Sequence, residues 1–424
     1  MKSRGYPEYK SAPDAWMGEV PAHWALERIK YGLAEKAARK NPDLPPGAIS
    51  YGNVVAKDPA KIGPETRATY QEVLSGEYLI NPINLNYDLV SLRTSLSDMD
   101  VCVSPAYIVL NSVEGKIYPK FGKYVLHVFD VCHMKTLGAG VRQTITFNDI
   151  GQCFWPLPPL PEQTIIADYL GREIGRIDGL IDKKTRFIAL LKEKRAAFID
   201  QAVTKGIDRN PEMKPSGVAW IGDIPAHWDA PRIATLFREA FRTPDPQLPV
   251  LSVSIHNGVS DGELSDEERD RKVALSEDRT KYQGVEPGDL VYNMMRAWQG
   301  AFGAVTVSGL VSPAYVVARP IAEFRTKFLE HLLHTRSAAE EIRRYSRGIA
   351  DFRMRLYWEY FRDIHVCLPP LSEQDEILSH IDRETARIES LIEKTERSIA
   401  LLREKRAALI AAAVTGKIDV RAAA

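Results

Sequence analysis

Two long segments of the chain carry apolar residues at alternating spacings of three and four, the pattern of a helix that buries one narrow stripe. The segments span residues 157–208 and 368–419, and charged residues fill most positions between the apolar ones. A stripe sustained over about four heptads predicts the seam of a coiled coil. The predicted seam consists of Ile174, Ile177, Ile181, Ile188, Leu191 and Phe198 in the first segment and Ile388, Ile392, Ile399, Leu402 and Leu409 in the second, with Lys184 and Arg195 at two further seam positions.

The two segments are copies of each other. They align without a gap, and 30 of 52 positions are identical. Each opens with a proline-rich stretch that cannot be helical, so a helix is expected just past it. A helix of about 40 residues is about 60 Å long.

Either helix alone would expose its apolar stripe, so the expected partner of each is the other copy in the same chain. The chain crosses a globular segment between the two helices, which leaves room for an antiparallel pair with one globular domain at each end. The alternative is that each helix belongs to a bundle inside a globule. The narrow seam and the charged flanks favour the exposed pair.

The globular segments are also repeated. A Trp-x-Gly-acidic-aliphatic-Pro-Ala-His-Trp sequence occupies residues 16–24 and again 220–228. Short β-branched runs between turn residues predict strands, and one apolar-periodic stretch predicts a helix. The predicted strands are 78–82, 88–92, 106–110, 250–255, 289–292, 301–307 and 314–318, and the predicted helix is 328–344. The fold class is therefore α+β, with globular domains at 1–156 and 209–367, a central helix at 157–208 and a C-terminal helix at 368–424.

Composition narrows the function classes. Lysine plus arginine and aspartate plus glutamate each number 56, so the formal net charge is zero. This balance weakens a simple nucleic-acid hypothesis, although segregated charge remains compatible with one. No apolar run approaches the ~18 residues that span a bilayer, and residues 1–7 lack the apolar core of a signal peptide. A cytoplasmic protein without membrane contact is expected.

The cysteines predict neither a disulfide framework nor a structural zinc site. Cys102, Cys132, Cys153 and Cys367 are widely spaced and form no Cys-x-x-Cys pair, which fits a reducing compartment. Cys132 stands next to His133, but no second pair of ligands is nearby in the sequence. Cys132 is therefore expected to be a thiol buried in a strand, and no metal site is predicted.

Sequence motifs for catalysis are missing. The chain contains no phosphate-binding Gly-x-x-x-x-Gly-Lys-Ser/Thr loop, no Gly-x-Gly-x-x-Gly after a strand, and no His-Glu-x-x-His or Gly-x-Ser-x-Gly motif. His23 and His227 occupy the same position in the two copies of the motif, each beside a tryptophan, which indicates a repeated packing role. No catalytic residue and no cofactor are predicted in this chain.

Taken together, these motifs resemble those of the DNA-specificity subunit of type I restriction–modification enzymes. The resemblance rests on the repeated Trp-to-Trp opening, the Leu-Pro-Pro-Leu-x-Glu-Gln start of each long helix, and the Lys-Arg-Ala-Ala to Ile-Asp end of each helix, and it covers nearly the whole chain. It implies two target-recognition domains, each reading half of a split double-stranded DNA sequence, joined by two helices that form an antiparallel coiled coil. It also implies that two methyltransferase subunits dock on the helices and carry the S-adenosylmethionine chemistry, and that a restriction subunit can join them.

The residues that would contact DNA are expected among basic and aromatic side chains of the two globular domains. The two domains differ from each other here, which predicts an asymmetric target. A solvated side chain on a polar face is the alternative for each candidate. The candidates are Arg93, Lys116, Lys120, Lys123 and Arg142 in the first domain and Arg296, Trp298, Gln299, Arg343, Arg344, Arg347, Arg353 and Arg355 in the second.

Three other hypotheses remain open. A coiled-coil scaffold would join protein partners without preferring any DNA sequence. A methyltransferase or nuclease fused to recognition domains would bind S-adenosylmethionine or a metal itself. The chain is also compatible with a recognition subunit of a related methyltransferase or nuclease system.

Overall fold

The chain divides into two compact units, each of which combines one globular segment with part of both long helices. The computed structural model describes residues 5–83, 92–137, 144–208, 210–255, 258–265, 278–348 and 354–421. Unit 1 comprises Met1–Thr185 and Glu396–Ala424, and unit 2 comprises Arg186–Thr395. Both units mix strands and helices, which confirms the α+β fold class.

The long helices are the elements that the apolar periodicity predicts. They are α4, Leu160–Lys205, and α9, Leu371–Val414. A glycine with a left-handed backbone follows each helix within two residues: Gly206 (φ +80°) after α4 and Gly416 (φ +72°) after α9. Glycine is common at such helix ends because it adopts this conformation without a Cβ clash.

The globular part of unit 1 is built on a four-stranded antiparallel sheet in the order β4-β11-β8-β9, flanked by two-stranded pairs. Helix α2 packs on the sheet and contributes Phe121, Val125 and Phe129 to the core. The elements of this part are β1 Tyr9–Ser11, β2 Glu19–Pro21, β3 Ala25–Arg28, β4 Leu33–Glu35, β5 Gly47–Ser50, β6 Asn53–Ala56, α1 Pro64–Arg67, β7 Gln71–Val73, β8 Tyr78–Ile80, β9 Thr94–Leu96, β10 Val101–Val103, β11 Ile108–Ser112, α2 Pro119–Cys132, α3 Phe147–Gln152 and β12 Phe154–Leu157.

Unit 2 repeats this topology with the sheet order β15-β22-β19-β20. Helix α6 takes the place of α2 and buries Phe328, Leu329 and Leu332. The elements of this part are β13 Met213–Pro215, β14 Asp223–Pro225, α5 Ile233–Leu236, β15 Phe237–Glu239, β16 Val253–Ser254, β17 Gly258–Val259, β18 Gln283–Val285, β19 Leu290–Asn293, β20 Phe302–Ala304, β21 Gly309–Val311, β22 Tyr315–Pro320, α6 Thr326–Leu333, α7 Arg336–Tyr345 and α8 Trp358–Phe361.

The two long helices run antiparallel, as predicted. In unit 1, Ile410 and Ala413 near the end of α9 share a core with Ile166 and Ile174 near the start of α4. In unit 2, the ring of Phe198 near the end of α4 lies 5.2 Å from the ring of His380 near the start of α9. The start of each helix is therefore paired with the end of the other.

Two local predictions were wrong. The stretch predicted as one helix over 328–344 is split into α6 and α7, because the Thr335 side chain accepts a hydrogen bond from the Ala338 N–H and caps a new helix. Cys132 is not buried in a strand; it ends α2 and is exposed. Most of the predicted strand 88–92 lies outside the described residues. Among the described helices, none combines the length and the apolar character that crossing a bilayer requires.

Candidate nucleic-acid interface

A turn after strand β19 presents three of the candidate DNA-binding residues in unit 2. The turn contains a short 3-10 helix, Ala297–Gln299, and closes at Gly300. The φ of Gly300 is +94°, a conformation that favours a residue without a Cβ. Arg296 Nε donates to Gln299 Oε1 at 3.1 Å, which holds both polar groups at the surface. The guanidinium of Arg343, on α7, lies 5.1 Å from the ring centroid of Trp298.

The end of α7 brings further arginines to the same turn. Arg347 and Arg355 exchange backbone hydrogen bonds of 2.8 and 2.9 Å, and the Leu356 N–H donates to the Met294 carbonyl at 2.8 Å. The guanidinium of Arg347 lies 4.5 Å from the ring centroid of Tyr360. The structure thus gathers Arg296, Arg343, Arg344, Arg347 and Arg355, which we call the basic cluster of unit 2.

Four arginines of this cluster are exposed: Arg343, Arg344, Arg347 and Arg355. Arg344 forms an ion pair with Glu341 at 3.1 Å, while Arg343 and Arg347 lie over aromatic rings. Guanidinium groups match phosphate oxygens and guanine edges, and they can do so while one face is stacked on an aromatic ring. The cluster is therefore equipped to bind an anionic, base-bearing polymer.

Unit 1 places two of its candidate lysines beside a cavity. Lys120 and Lys123, on α2, line a cavity of about 540 Å³ together with Arg172 on α4, and the carboxylates of Asp98 and Asp168 face the same space. Burial lowers the pKa of Lys123. Lys116 lies apart from this cavity and forms an ion pair with Glu27 at 3.4 Å.

Arg93, a candidate DNA-binding residue of unit 1, is buried and hydrogen-bonded within the domain. It is only 7% exposed, its guanidinium donates to the Ile83 carbonyl, and its backbone N–H donates to Asp130 Oδ2 at 2.5 Å. Burial raises the pKa of Asp130 to about 6. These contacts favour a role for Arg93 in holding strand β9 against α2. Arg142 and Arg353 lie outside the described residues.

The repeated histidine–tryptophan motif of unit 1 is fastened to the start of α4 by one carboxylate. The buried side chain of Glu162 accepts hydrogen bonds from the Tyr6 hydroxyl at 2.6 Å and from Trp24 Nε1 at 3.1 Å, and it lies 2.9 Å from His23 Nε2. Burial and the Glu162 carboxylate together raise the pKa of the Tyr6 hydroxyl far above its ordinary value. Gly416, just past the end of α9, approaches Trp24 so closely that an added Cβ would lie 3.1 Å from the ring.

Unit 2 contains the matching arrangement. Glu373 at the start of α9 lies 2.6 Å from His227 Nε2 and accepts from Trp228 Nε1 at 3.2 Å. Gly206, after α4, lies against Trp228 and Glu373. In each unit, therefore, the motif joins the start of one long helix to the end of the other.

The glutamine that follows each of these glutamates ties the globular domain to its helix. Gln163 Oε1 accepts from the Tyr118 N–H at 2.8 Å, and Gln374 Oε1 accepts from the Arg325 N–H at 2.7 Å. Because Tyr118 and Arg325 directly precede α2 and α6, the Glu-Gln pair sets the position of the helix that packs on each sheet. The sequence displayed these residues as a duplicated motif, but it contained no sign of their partners.

The seam positions are buried or half-buried along both helices. Ile174, Ile177, Leu191, Ile388, Ile392 and Ile399 are buried, whereas Ile181, Ile188, Phe198, Leu402 and Leu409 are half-buried. In unit 2, Leu191 packs against Ile388 and Ile392, with Ile188 beside them. Arg195, at a polar seam position, pairs with Glu389 at 3.1 Å. The predicted seam missed Ile410, which is 1% exposed.

The long helices also present an exposed set of apolar residues that the seam pattern did not predict. Leu190 and Leu401 occupy equivalent positions of the two copies and are 61% and 66% exposed. Leu180 and Leu391 form a second equivalent pair and are also exposed. Their duplication was visible in the aligned segments, but their exposure depends on which faces the seam buries.

Comparison with known proteins supports the resemblance that the motifs indicated. No family model matches the chain. The chain is 24% identical over 230 residues to a protein of Methanocaldococcus jannaschii whose name gives it as a type I restriction enzyme MjaX specificity subunit. The match covers 50% of this chain and 52% of the relative, so it spans about half the length of that protein.

Two solved structures share the architecture over almost the whole chain. The HsdS subunit from Thermoanaerobacter tengcongensis is 15% identical, with a TM-score of 0.53 over 96% of this chain and 100% of that chain. A chain from a structure concerned with complex assembly and conformational transition of the type I R-M system is 13% identical, with a TM-score of 0.63 over 93% and 98% of the two chains. The resemblance to type I specificity subunits is thus confirmed, and the chain has the fold of the specificity subunits of type I restriction–modification systems.

Proposed function

We propose that this chain is the non-catalytic specificity subunit of a type I restriction–modification complex. Each globular domain reads one half of a bipartite, asymmetric DNA target, and the long helices dock two methyltransferase subunits. The observation that carries the proposal is the duplication of the whole arrangement: each unit has the same sheet order and the same glutamate-to-tryptophan attachment to both helices. Two similar globular domains in one chain are suited to a DNA duplex, which presents successive groove segments along its length.

The basic cluster of unit 2 supports DNA as that ligand. It concentrates arginine donors on one exposed surface, although the chain has a formal net charge of zero. Packed like charges repel unless an anionic partner neutralises them, and the phosphate backbone is such a partner. Arg296 and Gln299, held together at the turn, are suited to base edges, whereas Arg344 and Arg347 are suited to phosphates.

Differences between the two units support an asymmetric target. The turn that carries Arg296 in unit 2 is closed by a backbone hydrogen bond from Asn293 N–H to Ala301. The equivalent bond in unit 1 runs from Asn81 N–H to Arg93 and encloses a longer segment, residues 82–92. Unit 1 also presents Tyr51, 71% exposed, at a hairpin tip with a left-handed backbone (φ 48°). Unlike loops on a common scaffold favour unlike half-sites.

The duplicated exposed leucines support the docking of two copies of one partner. In unit 1 the exposed pair is Leu180 and Leu401, and in unit 2 it is Leu391 and Leu190. Each unit therefore offers the same two leucines, one from each helix. Methyltransferase subunits that bind these sites supply the S-adenosylmethionine chemistry, and a restriction subunit can join the complex.

The decisive experiment is methylome sequencing of a host that expresses this chain with its methyltransferase partner. We expect methylation at one sequence made of two unlike half-sites separated by a fixed gap. The double variant Arg343→Ala, Arg347→Ala should reduce or abolish methylation of that sequence, or relax the requirement for one of its two half-sites. Arg336→Ala, an exposed arginine at the other end of α7, serves as the matched control.

Two results would contradict the proposal in different ways. Stoichiometric S-adenosylmethionine binding by the isolated chain would indicate a methyltransferase. A purified complex without preference for any DNA sequence in gel shifts would indicate a scaffold.

A further inference from the structure

A cluster of three metal-ligating side chains lies in unit 1 and includes none of the candidate DNA-binding residues or seam residues. One ligand atom from each of Asp14, His133 and Cys153 lies within 4.8 Å of the other two. The residues come from three separate parts of the sequence: Asp14 precedes the first tryptophan motif, His133 follows α2, and Cys153 follows α3. We propose that these three side chains bind a divalent transition-metal ion, with zinc as the best match.

The donor set points to zinc. A thiolate, an imidazole and a carboxylate are all accepted by Zn²⁺, whereas Mg²⁺ and Ca²⁺ take oxygen ligands. Ligand atoms around a tetrahedral zinc stand about 3.5 Å apart, so the observed separations need only small side-chain rotations. The Cys153 thiol releases its proton to solvent as the Zn–S bond forms, and a water molecule completes the coordination.

Neighbouring groups already orient two of the three ligands, and the third is buried. Asp14 Oδ2 accepts a hydrogen bond of 2.7 Å from the Phe154 N–H, which fixes the carboxylate beside Cys153. The ring of Trp16 is stacked on His133 at 6.5 Å between centroids and 28° between planes. Cys153 is 8% exposed. Such outer contacts are what hold metal ligands in position.

The repeat supplies an internal comparison. The Ile29 N–H donates to the Cys153 carbonyl and the Ile233 N–H donates to the Ile364 carbonyl, both at 2.9 Å, so Cys153 and Ile364 are structurally equivalent. Asp14 and Val218 are equivalent for the same reason. The Asp14 carbonyl accepts from the Met17 N–H, and the Val218 carbonyl accepts from the Ile221 N–H.

Unit 2 fills these positions with apolar packing: Ile364 is 1% exposed and Val218 packs against the same core. The fold therefore does not require a thiol and a carboxylate here. Their presence in unit 1, with a histidine brought to them by α2, points to a ligand rather than to packing. A bound ion would link the segment before Trp16, the end of α2 and the strand that leads into α4.

The test uses the full-length chain, loaded with zinc and freed of excess metal, with zinc measured by mass spectrometry. We expect one zinc per chain in the wild type and in the control Cys132→Ser, which removes an exposed thiol next to His133. Cys153→Ile, which copies the residue of unit 2, and Asp14→Asn should each lose the metal. Cobalt(II) loading should produce a thiolate-to-cobalt absorption band in the wild type that is absent in Cys153→Ile.

Wild-type chain with less than about a tenth of an equivalent of zinc would overturn the proposal, as would full zinc retention by folded Cys153→Ile. If circular dichroism shows that Cys153→Ile is unfolded, His133→Gln and Asp14→Asn decide by the same criterion. Metal bound equally by the wild type and by all three ligand variants would place the ion elsewhere and also contradict it.

Discussion

Arg406 Nε lies 3.0 Å from Asp178 Oδ1 and joins α9 to α4 within unit 1. Its counterpart in unit 2 is the pair of Arg195 and Glu389, at 3.1 Å. Arg195 and Arg406 are equivalent positions of the two copies, and so are Asp178 and Glu389. Each helix thus supplies one arginine and one carboxylate to the two pairs. Only an antiparallel pair of duplicated helices brings these two positions together twice.

Reversing one charge of the pair Asp178–Arg406 should weaken unit 1 slightly, and reversing both charges should restore its stability. We expect Asp178→Arg to cost about 0.5–1 kcal/mol of unfolding free energy, because both side chains are partly solvated. The double variant Asp178→Arg, Arg406→Glu should recover most of that loss. Urea unfolding at low and high salt measures the coupling; a coupling energy of zero at low salt would refute the interaction.

A charge in the seam should be far more costly than a charge on the outer face. Ile392→Asp places an unpaired carboxylate beside Leu191 and Ile388 and should cost several kcal/mol. Ile181→Asp should cost less, since Ile181 is only half-buried. The control is Leu391→Asp, at an exposed neighbouring position, which should leave the melting temperature almost unchanged. Equal melting of Ile392→Asp and Leu391→Asp would contradict the assigned seam.

The buried anchor of unit 1 should matter more than its counterpart in unit 2. Glu162→Gln removes the charge that three donors share and should cost about 1–3 kcal/mol. Glu373→Gln should cost less, because Glu373 is more exposed and its side chain serves two partners, His227 and Trp228. Thermal unfolding of both variants, with limited proteolysis to locate the weakened unit, provides the comparison. Identical losses would mean that Tyr6 adds nothing to the anchor.

Titration of the buried His331 should lower the stability of unit 2 as the pH falls below about 6.5. Burial lowers the pKa of His331 to about 4, whereas the unfolded state protonates near the ordinary value of about 6.5. Between these values the unfolded state binds more protons, so stability falls with falling pH. Burial also lowers the pKa of His127 in unit 1 to about 4. Carboxyl groups whose pKa burial raises act in the opposite direction, among them Asp130 in unit 1, raised to about 6, and Asp289 in unit 2.

His331→Leu should therefore reduce the loss of stability between pH 7 and pH 5 by about 2 kcal/mol. His331 Nε2 has no hydrogen-bond partner among the described residues, so the substitution breaks none at that atom. Urea unfolding at both pH values measures the difference. An unchanged difference between the two pH values would show that His331 does not titrate as proposed.

Lengthening both helices should change the gap between half-sites without changing the half-sites, if the proposed function is correct. Four residues inserted at the matching positions after Thr185 and after Glu396 add about 6 Å, close to two base-pair steps. Methylome sequencing should reveal the same two half-sites with a wider gap. Altered half-sites would show that recognition and spacing are not separate.

The antiparallel pairing was within reach of the sequence because its signals are local and periodic. A seam position is recognised from neighbours three and four residues away, and the duplication shows that the two stripes match. The break at Thr335 was missed because the apolar spacing continues through it, although the threonine is a common helix cap. Side-chain exposure on the outer faces of α4 and α9 also follows only once the seam is set.

The sequence by itself determined the repeat, the two long helices and their seam, since each is written in residues that are close together along the chain. The tertiary structure alone decided which distant residues meet. It placed Glu162 against Trp24, gathered Arg296 with Arg343, and brought Asp14 to Cys153. Contacts of that kind depend on how strands and loops from remote segments pack, and no spacing within a single segment encodes them.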